Sequence, residues 1–526
     1  WKVPAADCKA THSVITHAAS GKRTTYGKVA AAAAKLKPPT EIKLKDPKDW
    51  KLAGRPVKRL DTRDKLNGKQ VYGMDLKLPG LLNAAIRDCP VFGGKLKSFD
   101  AAAVSGKPGV KKVLRVGDSA VAVVADTWWR AKTALDALPV VWDEGPHAKA
   151  SSAEFAATLR AALDAPEAAA ANTVGDVKAA LASAARRVEA VYSYPHQNHA
   201  CMETMNATAK FTASATPAQQ RCEVWCPTQN GESALAAAAE ASGLPTSQCE
   251  VHKIHLGGGF GRRGMTDYVR QAVDIAKQMP GIPVKLIWSR EEDMLHGRYH
   301  PITQCKLQAG LDAQGKLTAL HLRLAGQSIL AGLAPQNIKN GFDPVAFQGL
   351  NASGPEAAIG YTIPNLLVDH AMRNPHVPPG FWRGVNLNHN TIYLECFLDE
   401  LANATGQDPL AFRRQLMQAH PRHLAVLNAV AERAGWARPA PDVGGQKVFR
   451  GLAQTMGFGS YVAACAEVSV SAQGELKIHR IVAATDSGHA VNPQQIEAQV
   501  EGSFAYGLSA ALFGECTVKD GRIEQT

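Results

Sequence analysis

The spacing of apolar residues along the chain predicts a mixture of short strands and helices. Short apolar runs, and runs in which apolar and polar residues alternate, indicate strands; they occur at 68–78, 81–87, 110–116, 120–125, 140–142, 188–194, 207–213, 222–226, 249–256 and 283–289. Helical spacing is found at 26–36, 127–138, 232–242, 267–279, 389–404, 408–418, 422–435 and 493–513. Two hairpins, 303–326 and 463–485, complete the pattern.

The order of these elements favours a mixed α/β (α+β) fold over an all-β sandwich. Between 222 and 289, strands alternate with helices and one glycine loop, which is typical of an α/β layer. Residues 58–145 form a compact unit of strands with one helix, and the alanine-rich residues 146–186 are predicted to be helices and turns. The irregular stretch 329–360 has a length that usually serves a function or an interface.

Composition narrows the class of protein. The chain has 526 residues, of which 45% are hydrophobic and 20% charged, with 45 Gly and 30 Pro. This is an ordinary globular composition, and it excludes a disordered chain, a coiled coil and a collagen-like fibre. No apolar run approaches the length of about 18 residues that a transmembrane helix needs.

The net charge of +12 comes largely from a basic segment near the N-terminus. Its members are Lys43, Lys45, Lys48, Lys51, Arg55, Lys58, Arg59, Arg63 and Lys65. Four aspartates interrupt the segment, and few aromatic residues are available for base stacking. We therefore expect a solvated basic face, or a contact with an acidic partner chain, and no nucleic acid partner.

Cysteine and histidine spacing does not favour a metal held by side chains. None of the ten cysteines forms a CxxC pair. Cys222 and Cys226 fall on one face of a strand and are interpreted as buried thiols, with a disulfide as the alternative. On an extended segment, His196 and His199 point to opposite faces, so a zinc site is not predicted.

Three segments could carry chemistry. Gly257, Gly258, Gly259, Phe260 and Gly261 lie between a strand and a helix, where backbone amides can approach an anionic ligand. Their spacing fits neither a dinucleotide-binding motif nor a P-loop, and a tight packing turn is the alternative. The second segment, 377–385, is a rigid Pro/Gly loop that presents Trp382 and Arg383, whose fork could instead tie loop carbonyls together. In the third, Gln229 follows a strand and could donate to an oxo group or cap the next helix.

Taken together, the segments resemble the molybdenum-binding large subunit of the xanthine dehydrogenase and aldehyde oxidoreductase family. The likeness is strongest to its isoquinoline 1-oxidoreductase and nicotinate dehydrogenase branch. The matching segments follow the family's order along nearly the whole chain: 68–82, 121–145, 199–209, 225–229, 257–261, 288–295, 381–401 and 466–514.

The resemblance implies a domain order. Residues 1–57 would be an N-terminal segment and linker that ends an upstream part of the molybdopterin-binding domain, and 58–145 an α/β hammerhead domain. Residues 146–435 would form the first molybdopterin-binding domain, and 436–526 the incomplete start of the second.

The resemblance also implies a cofactor and its neighbours. The cofactor would be a molybdenum–pterin, in the cytosine dinucleotide form, held by loops and not by side-chain ligands to the metal. Gln229 would hydrogen-bond the apical oxo ligand, and Phe260 and Gly261, with Gly258 and Gly259, would lie against the metal centre. Trp382, Arg383 and Gln499 would border the pterin. Tyr299 and Val385 would lie in the substrate pocket, where purine-oxidising members carry an arginine and an aromatic residue, and Gly264 would lie near their glutamate.

The implied reaction is oxidation of an aldehyde or N-heteroaromatic compound with water as oxygen source. Electrons would pass to iron–sulfur clusters on a small partner subunit, and onward to a c-type cytochrome. The periplasm, or the periplasmic side of a membrane, is the expected location, with the cytoplasm as the alternative.

Two departures from the family pattern matter. Its catalytic glutamate lies in a Gly-Val-Gly-Glu-Pro segment, and two pterin-contacting glycine loops lie upstream; none is in this sequence. No catalytic residue is therefore assigned, and we expect the active site to need a companion chain or a continuation beyond Trp1 and Thr526. A non-catalytic structural or assembly chain of the same fold is the alternative function.

Overall fold

The structure is a computed structural model that describes residues 1–42, 44–354 and 358–526. Lys43 of the basic segment and residues 355–357 of the irregular stretch therefore lie outside the described residues. The chain divides into two compact units, one formed by Trp1–Val57 with Val491–Pro493, the other by Lys58–Ala490 with Gln494–Thr526. Within the described ranges, no helix combines the length and the apolar character needed to cross a membrane.

The smaller unit contains a three-stranded antiparallel sheet and one α-helix. The strands are Cys8–Thr11, Val14–His17 and Lys22–Thr25, in that order. The helix Tyr26–Ala33 begins where the side chain of Thr25 accepts a hydrogen bond from the Lys28 amide. This helix confirms the one predicted at 26–36.

A seven-stranded mixed sheet organises the larger unit. Its strands are, in spatial order, Cys249–Lys253, Arg221–Cys226, Asn206–Thr212, Val284–Ile287, Leu82–Asp88, Ala120–Ala125 and Val110–Val116. The sheet joins strands from both sides of the domain boundary predicted at 145, since Val284–Ile287 pairs in parallel with Leu82–Asp88. The domain division itself stays a prediction.

Helices cover both faces of this sheet. Gly231–Ser242 and Asp267–Lys277 pack on one face through their alanines, valines and Tyr268, and Trp128–Asp136 packs on the other. The helix Gly231–Ser242 begins where Asn230 caps the Ser233 amide, and it ends at Gly243 with φ +74°. A central strand that is buried along its whole length, Ala120–Ala125, separates the two apolar layers.

A second sheet has five strands, in the spatial order Arg186–Tyr194, Thr303–Leu311, Leu317–Gly326, Asn365–Met372 and Ala169–Val174. A third has three antiparallel strands, Phe449–Gly457, Ser460–Val470 and Leu476–Asp486. Shorter pairs are Lys95–Phe99 with Val140–Asp143, His196–Gln197 with Glu515–Cys516, and Val518–Lys519 with Arg522–Ile523.

Ten further α-helices complete the described residues of the larger unit. They are Thr62–Leu66, Ala102–Ser105, Ser152–Ala162, Val177–Ser183, Arg290–Leu295, Ile329–Leu333, Leu387–Ala404, Pro409–Leu416, Pro421–Ala434 and Pro493–Phe513. The mixed α/β class and most predicted elements are thereby confirmed, and Pro493–Phe513 has the predicted bounds.

The strand predicted at 68–78 is wrong. In its place the chain is irregular, with a single 3₁₀ turn at Gly73–Asp75. Side chains satisfy its backbone groups instead of a neighbouring strand: the Lys285 ammonium donates to the carbonyls of Met74 and Leu76, and the Met74 amide donates to Glu203. Apolar spacing cannot reveal this, because the partners are more than a hundred residues away in sequence.

Several strands were not predicted, and two of them show the reason. Ala169–Val174 lies in a segment that its alanines made look helical, and Asn365–Met372 follows the long irregular stretch. The two strands pair with each other at one edge of the five-stranded sheet. Their strand geometry therefore depends on tertiary pairing.

Candidate active site

The site is built at the ends of two neighbouring strands. Arg221–Cys226 and Cys249–Lys253 run in parallel. The segments that follow these two strands therefore leave the sheet on the same side. Gln229 follows the first strand, and the glycine loop 257–261 follows the second. The Gln229 side-chain oxygen accepts hydrogen bonds from the amides of Gly261 and Arg263 at 3.1 and 3.2 Å. Parallel strand ends are a common place for ligand sites in α/β sheets, and this pairing brings two of the predicted segments together.

Two glycines of the loop lie so close to neighbouring segments that a side chain would not fit at either position. A Cβ atom on Gly259 would lie 2.5 Å from the Gln229 side-chain oxygen, and one on Gly261 would lie 1.5 Å from the Phe381 carbonyl oxygen. Gly261 also has φ +108°, and Phe260 has φ +51°, which is rare for a non-glycine residue. At Gly259 and Gly261 the loop therefore presents backbone atoms to its surroundings.

A buried ion pair holds the loop from behind. Arg263 is fully buried, and its guanidinium donates to the Gly258 carbonyl at 2.7 Å and the Glu203 carbonyl at 2.6 Å. The Glu203 carboxylate lies 3.1 Å from Arg263 and accepts from the Gly257 amide at 2.7 Å. Glu203 thus anchors the loop through its carboxylate and its backbone carbonyl.

Three aromatic rings connect the glycine loop to the 377–385 loop. Phe260 stacks on Tyr506 with ring centroids 4.3 Å apart, and Tyr506 stacks on Trp382 at 4.4 Å. Arg383 donates to the side-chain and backbone oxygens of Gln499 at 3.1 and 3.0 Å. Every residue predicted to border the cofactor is thus linked through contacts in one region of the larger unit.

The donors in this region suit an anionic group. Within the described part of the chain, the backbone amides of Gly258, Gly259 and Phe260 have no hydrogen-bond partner. Gln229 uses its oxygen on the loop, which leaves its NH₂ group as a further neutral donor. Such amides bind oxo or thiolate groups without a full positive charge. The region is open on one side, where Gln229 and Gln499 are exposed.

The two residues predicted for the substrate pocket have different surroundings. Tyr299 is fully buried, and its hydroxyl donates to the Met294 carbonyl. Val385 follows Arg383 at a turn with φ +54°, and its carbonyl lies 3.1 Å from the His300 ring. Their pocket role stays a prediction.

Arg298 lines a neighbouring cavity of about 320 Å³ and lies 3.7 Å from Asp267.

A large cavity lies next to the aromatic stack. It has a volume of about 810 Å³ and runs from Tyr194 and Trp382 along the C-terminal half of the helix Pro493–Phe513 to Glu515. Trp382 connects this cavity to the site, whereas Gln229 and the glycine loop do not line it.

His196 and His199 are held in the neutral form. Burial lowers the pKa of His199 to about 3 and that of His196 to about 4. His199 contacts the Phe381 carbonyl, and His196 contacts the Gln327 side chain, so each ring joins a different pair of segments. Each of the two imidazole rings therefore makes a structural contact with a different part of the chain.

One group of possible ligand atoms was missed by the sequence analysis. Glu223, Glu250 and His252 lie on the face of the strand pair opposite the two helices, with ligand atoms within 4.8 Å of one another. The two carboxylates flank different ring nitrogens, at 3.8 Å from Nε2 and 3.9 Å from Nδ1. The His252 ring stacks on Trp225.

A buried histidine beside the 320 Å³ cavity makes stability depend on pH. Burial disfavours the charge of His296, but the Glu292 carboxylate, 3.1 Å from Nδ1, outweighs burial and raises the pKa of His296 to about 10. The ordinary value is about 6.5. The pair therefore stabilises the fold fully below pH 6.5 or so, and this contribution is lost as the pH rises through about 10.

We expect the free energy of unfolding to fall by about 1.4 kcal/mol per pH unit across this window because of this one group. Denaturant titrations between pH 6.5 and 10 measure the slope. The Glu292→Gln variant should lose this part of the slope, because burial without the carboxylate disfavours the charged form of His296 across this window. Equal slopes in the two proteins would contradict the assignment.

Tyr506 is the site residue that sequence reasoning did not find. It lies seven residues after Gln499 on the same helix, which places the two side chains on one face. The seven-residue spacing from Gln499 was therefore the feature of the sequence that could have indicated Tyr506.

Comparisons with known proteins identify the family. Residues 163–417 match the family model of a molybdopterin cofactor-binding domain, and residues 410–526 match that of a second such domain. Together the two matches extend over more than half of the chain. The chain belongs to the molybdopterin-dependent oxidoreductases of the xanthine dehydrogenase family.

The individual relatives have low sequence identity to this chain. The chain is 27% identical to the beta subunit of isoquinoline 1-oxidoreductase from Brevundimonas diminuta, over 100% of this chain and 71% of that protein. It is 27% identical to a subunit of nicotinate dehydrogenase from Pseudomonas putida, over 91% of this chain but only 41% of that protein. The fold is similar to that of quinoline 2-oxidoreductase from Pseudomonas putida 86, with a TM-score of 0.71, 16% identity and coverage of 90% and 88% of the two chains.

Proposed function

We propose that this chain is the molybdenum-binding large subunit of an enzyme that oxidises an aldehyde or an N-heteroaromatic compound, with water as the oxygen source. The observation that carries the proposal is the convergence of Gln229, the glycine loop and the Trp382–Arg383 pair into one region with unpartnered amide donors. When bound, the molybdenum–pterin supplies the two-electron redox chemistry.

The chain's own residues would bind and orient that group. The free amides of Gly258, Gly259 and Phe260 are suited to hold an anionic oxygen or sulfur, and Gln229 offers a neutral donor beside them. The aromatic stack Phe260–Tyr506–Trp382 keeps water from one side. Arg383, oriented by Gln499, places a positive charge at the border of the region.

Metal analysis of the native complex tests the proposal. We expect about one molybdenum per chain, and reduction of an artificial dye when an aldehyde or an N-heterocycle is added. Oxygen-18 from labelled water should appear in the product. A native complex without molybdenum would overturn the proposal and favour the structural or assembly role.

The Gln229→Ala variant tests the contribution of one donor. Loss of a positioned neutral donor typically lowers kcat by about 10²–10³-fold, and we expect a loss in the lower part of that range. Substrate-dependent dye reduction per bound molybdenum measures it. Gln248→Ala, at the far end of the same sheet, is the matched control and should leave kcat unchanged.

Three finer points belong to the same proposal. The pterin carries a cytosine dinucleotide, an iron–sulfur protein accepts the electrons and passes them to a c-type cytochrome, and the complex works on the periplasmic side. The resemblance to proteins that are named as subunits supports partner chains. Nucleotide release by mild acid, iron analysis of the purified complex and cell fractionation test these points separately.

A further inference from the structure

Two cysteines face each other at the start of the strand pair that leads to the site. Cys222 and Cys249 are direct partners in the parallel register of Arg221–Cys226 and Cys249–Lys253. Neighbouring strands lie about 4.7–4.9 Å apart, and a disulfide spans Cα atoms about 4.4–6.8 Å apart. The backbone separation therefore already suits a disulfide bond.

The two side chains lie close together beneath the helix Gly231–Ser242. The Ser242 hydroxyl lies 3.7 Å from the Cys249 sulfur. Burial raises the pKa of the Cys222 thiol, and the charge of Cys249 raises it further. Both side chains are on the sheet face covered by the two helices. Cys226 lies on the same face, but its partner across the strand pair is Lys253, so it has no facing thiol.

We propose that Cys222 and Cys249 are a modification site, at which a disulfide-containing oxidant such as oxidised glutathione forms a reversible cross-strand disulfide. This inference is independent of the molybdenum cofactor. The sequence analysis interpreted Cys222 and Cys226 as buried thiols and named a disulfide between those two only as the alternative.

The reaction follows from the burial of the two sulfurs. Cys249 is partly exposed, so its thiolate attacks the oxidant, forms a mixed disulfide and releases one glutathione thiolate. The buried Cys222 thiolate then attacks the Cys249 sulfur, which forms the internal bond and releases the second glutathione. Each cysteine loses one proton, and the two electrons reduce the oxidant. Burial raises the pKa of Cys222 to about 12, so the second step accelerates as the pH rises.

The bond would act on the site through the two strands. One strand leads directly to Gln229, and the other leads to the glycine loop. A covalent link near the start of both strands fixes the register of the pair and ties the edge strand Cys249–Lys253 to the sheet. We therefore expect oxidation to raise the thermal midpoint of the larger unit.

Peptide mapping of the full chain provides a direct test. The folded protein is incubated in glutathione buffers of increasing oxidation, free thiols are blocked, and the unfolded chain is cleaved after glutamate without reduction. Cleavage places the three cysteines on separate peptides, 204–223, 224–232 and 241–250. We expect 204–223 linked to 241–250, with a mass about 2 Da below the sum of the two thiol peptides.

Other results would overturn the inference. Exposed Cys396 reports whether the oxidant acts. If Cys396 becomes glutathionylated while Cys222 and Cys249 both remain blockable, no disulfide forms and the proposal fails. A link between 224–232 and 241–250 would contradict the register argument. Cys249→Ser should abolish the linked peptide and the oxidative rise in thermal midpoint, and the Cys226→Ser control should keep both.

Discussion

Gly261→Ala is expected to remove most of the molybdenum from the native complex. The new Cβ atom would lie 1.5 Å from the Phe381 carbonyl, and the residue would have to adopt φ +108°. Backbone strain of this kind costs about 1–3 kcal/mol, and each 1.4 kcal/mol or so is a factor of ten in binding. We therefore expect molybdenum affinity to fall about tenfold to a hundredfold. Molybdenum per chain after equilibration at limiting cofactor measures the loss.

Gly264→Ala is the matched control for this change. Gly264 lies three residues away, its φ is not positive, and a Cβ atom there would meet no heavy atom within 4 Å. The variant should keep the molybdenum content and the activity of the parent protein. If the two variants behaved alike, the close approach of the two loops would not be what holds the cofactor.

The second large effect is expected for Arg263→Met. The substitution removes the buried partner of Glu203, together with hydrogen bonds to the Gly258 and Glu203 carbonyls. Breaking a buried ion pair by removing one partner typically costs about 3–5 kcal/mol. We expect the free energy of unfolding of the larger unit to fall by that amount, as measured in a denaturant titration.

Two further variants distinguish the loss of the buried ion pair from a general disruption of packing. Arg270→Met, on the helix Asp267–Lys277, removes an exposed ion pair with Glu240. This change should lower the free energy of unfolding by less than about 1 kcal/mol. The double variant Arg263→Met with Glu203→Gln should be more stable than Arg263→Met alone, because no unpaired charge is buried. A double variant as unstable as the single one would show that lost packing, not charge, dominates.

The sequence singled out Gln229, Phe260 and Trp382 because glycine, proline and amide residues in loops at element ends follow local rules of backbone geometry and hydrogen bonding. Their role at the cofactor stays a prediction. The strand predicted at 68–78 was wrong because its backbone partners, Lys285 and Glu203, are distant in sequence. Tyr506 was missed because its neighbours Phe260 and Trp382 come from other elements.

By itself, the sequence determined the mixed α/β class, most element positions and the loops that offer donors, because apolar spacing and loop chemistry are local properties. It also carried the family resemblance that the cofactor-binding domain matches confirm. Only the tertiary structure decided which loops meet, that Arg263 is buried on Glu203, and that Cys222 faces Cys249 and not Cys226. Those facts depend on strand register and on packing between distant segments, which no short stretch of residues contains.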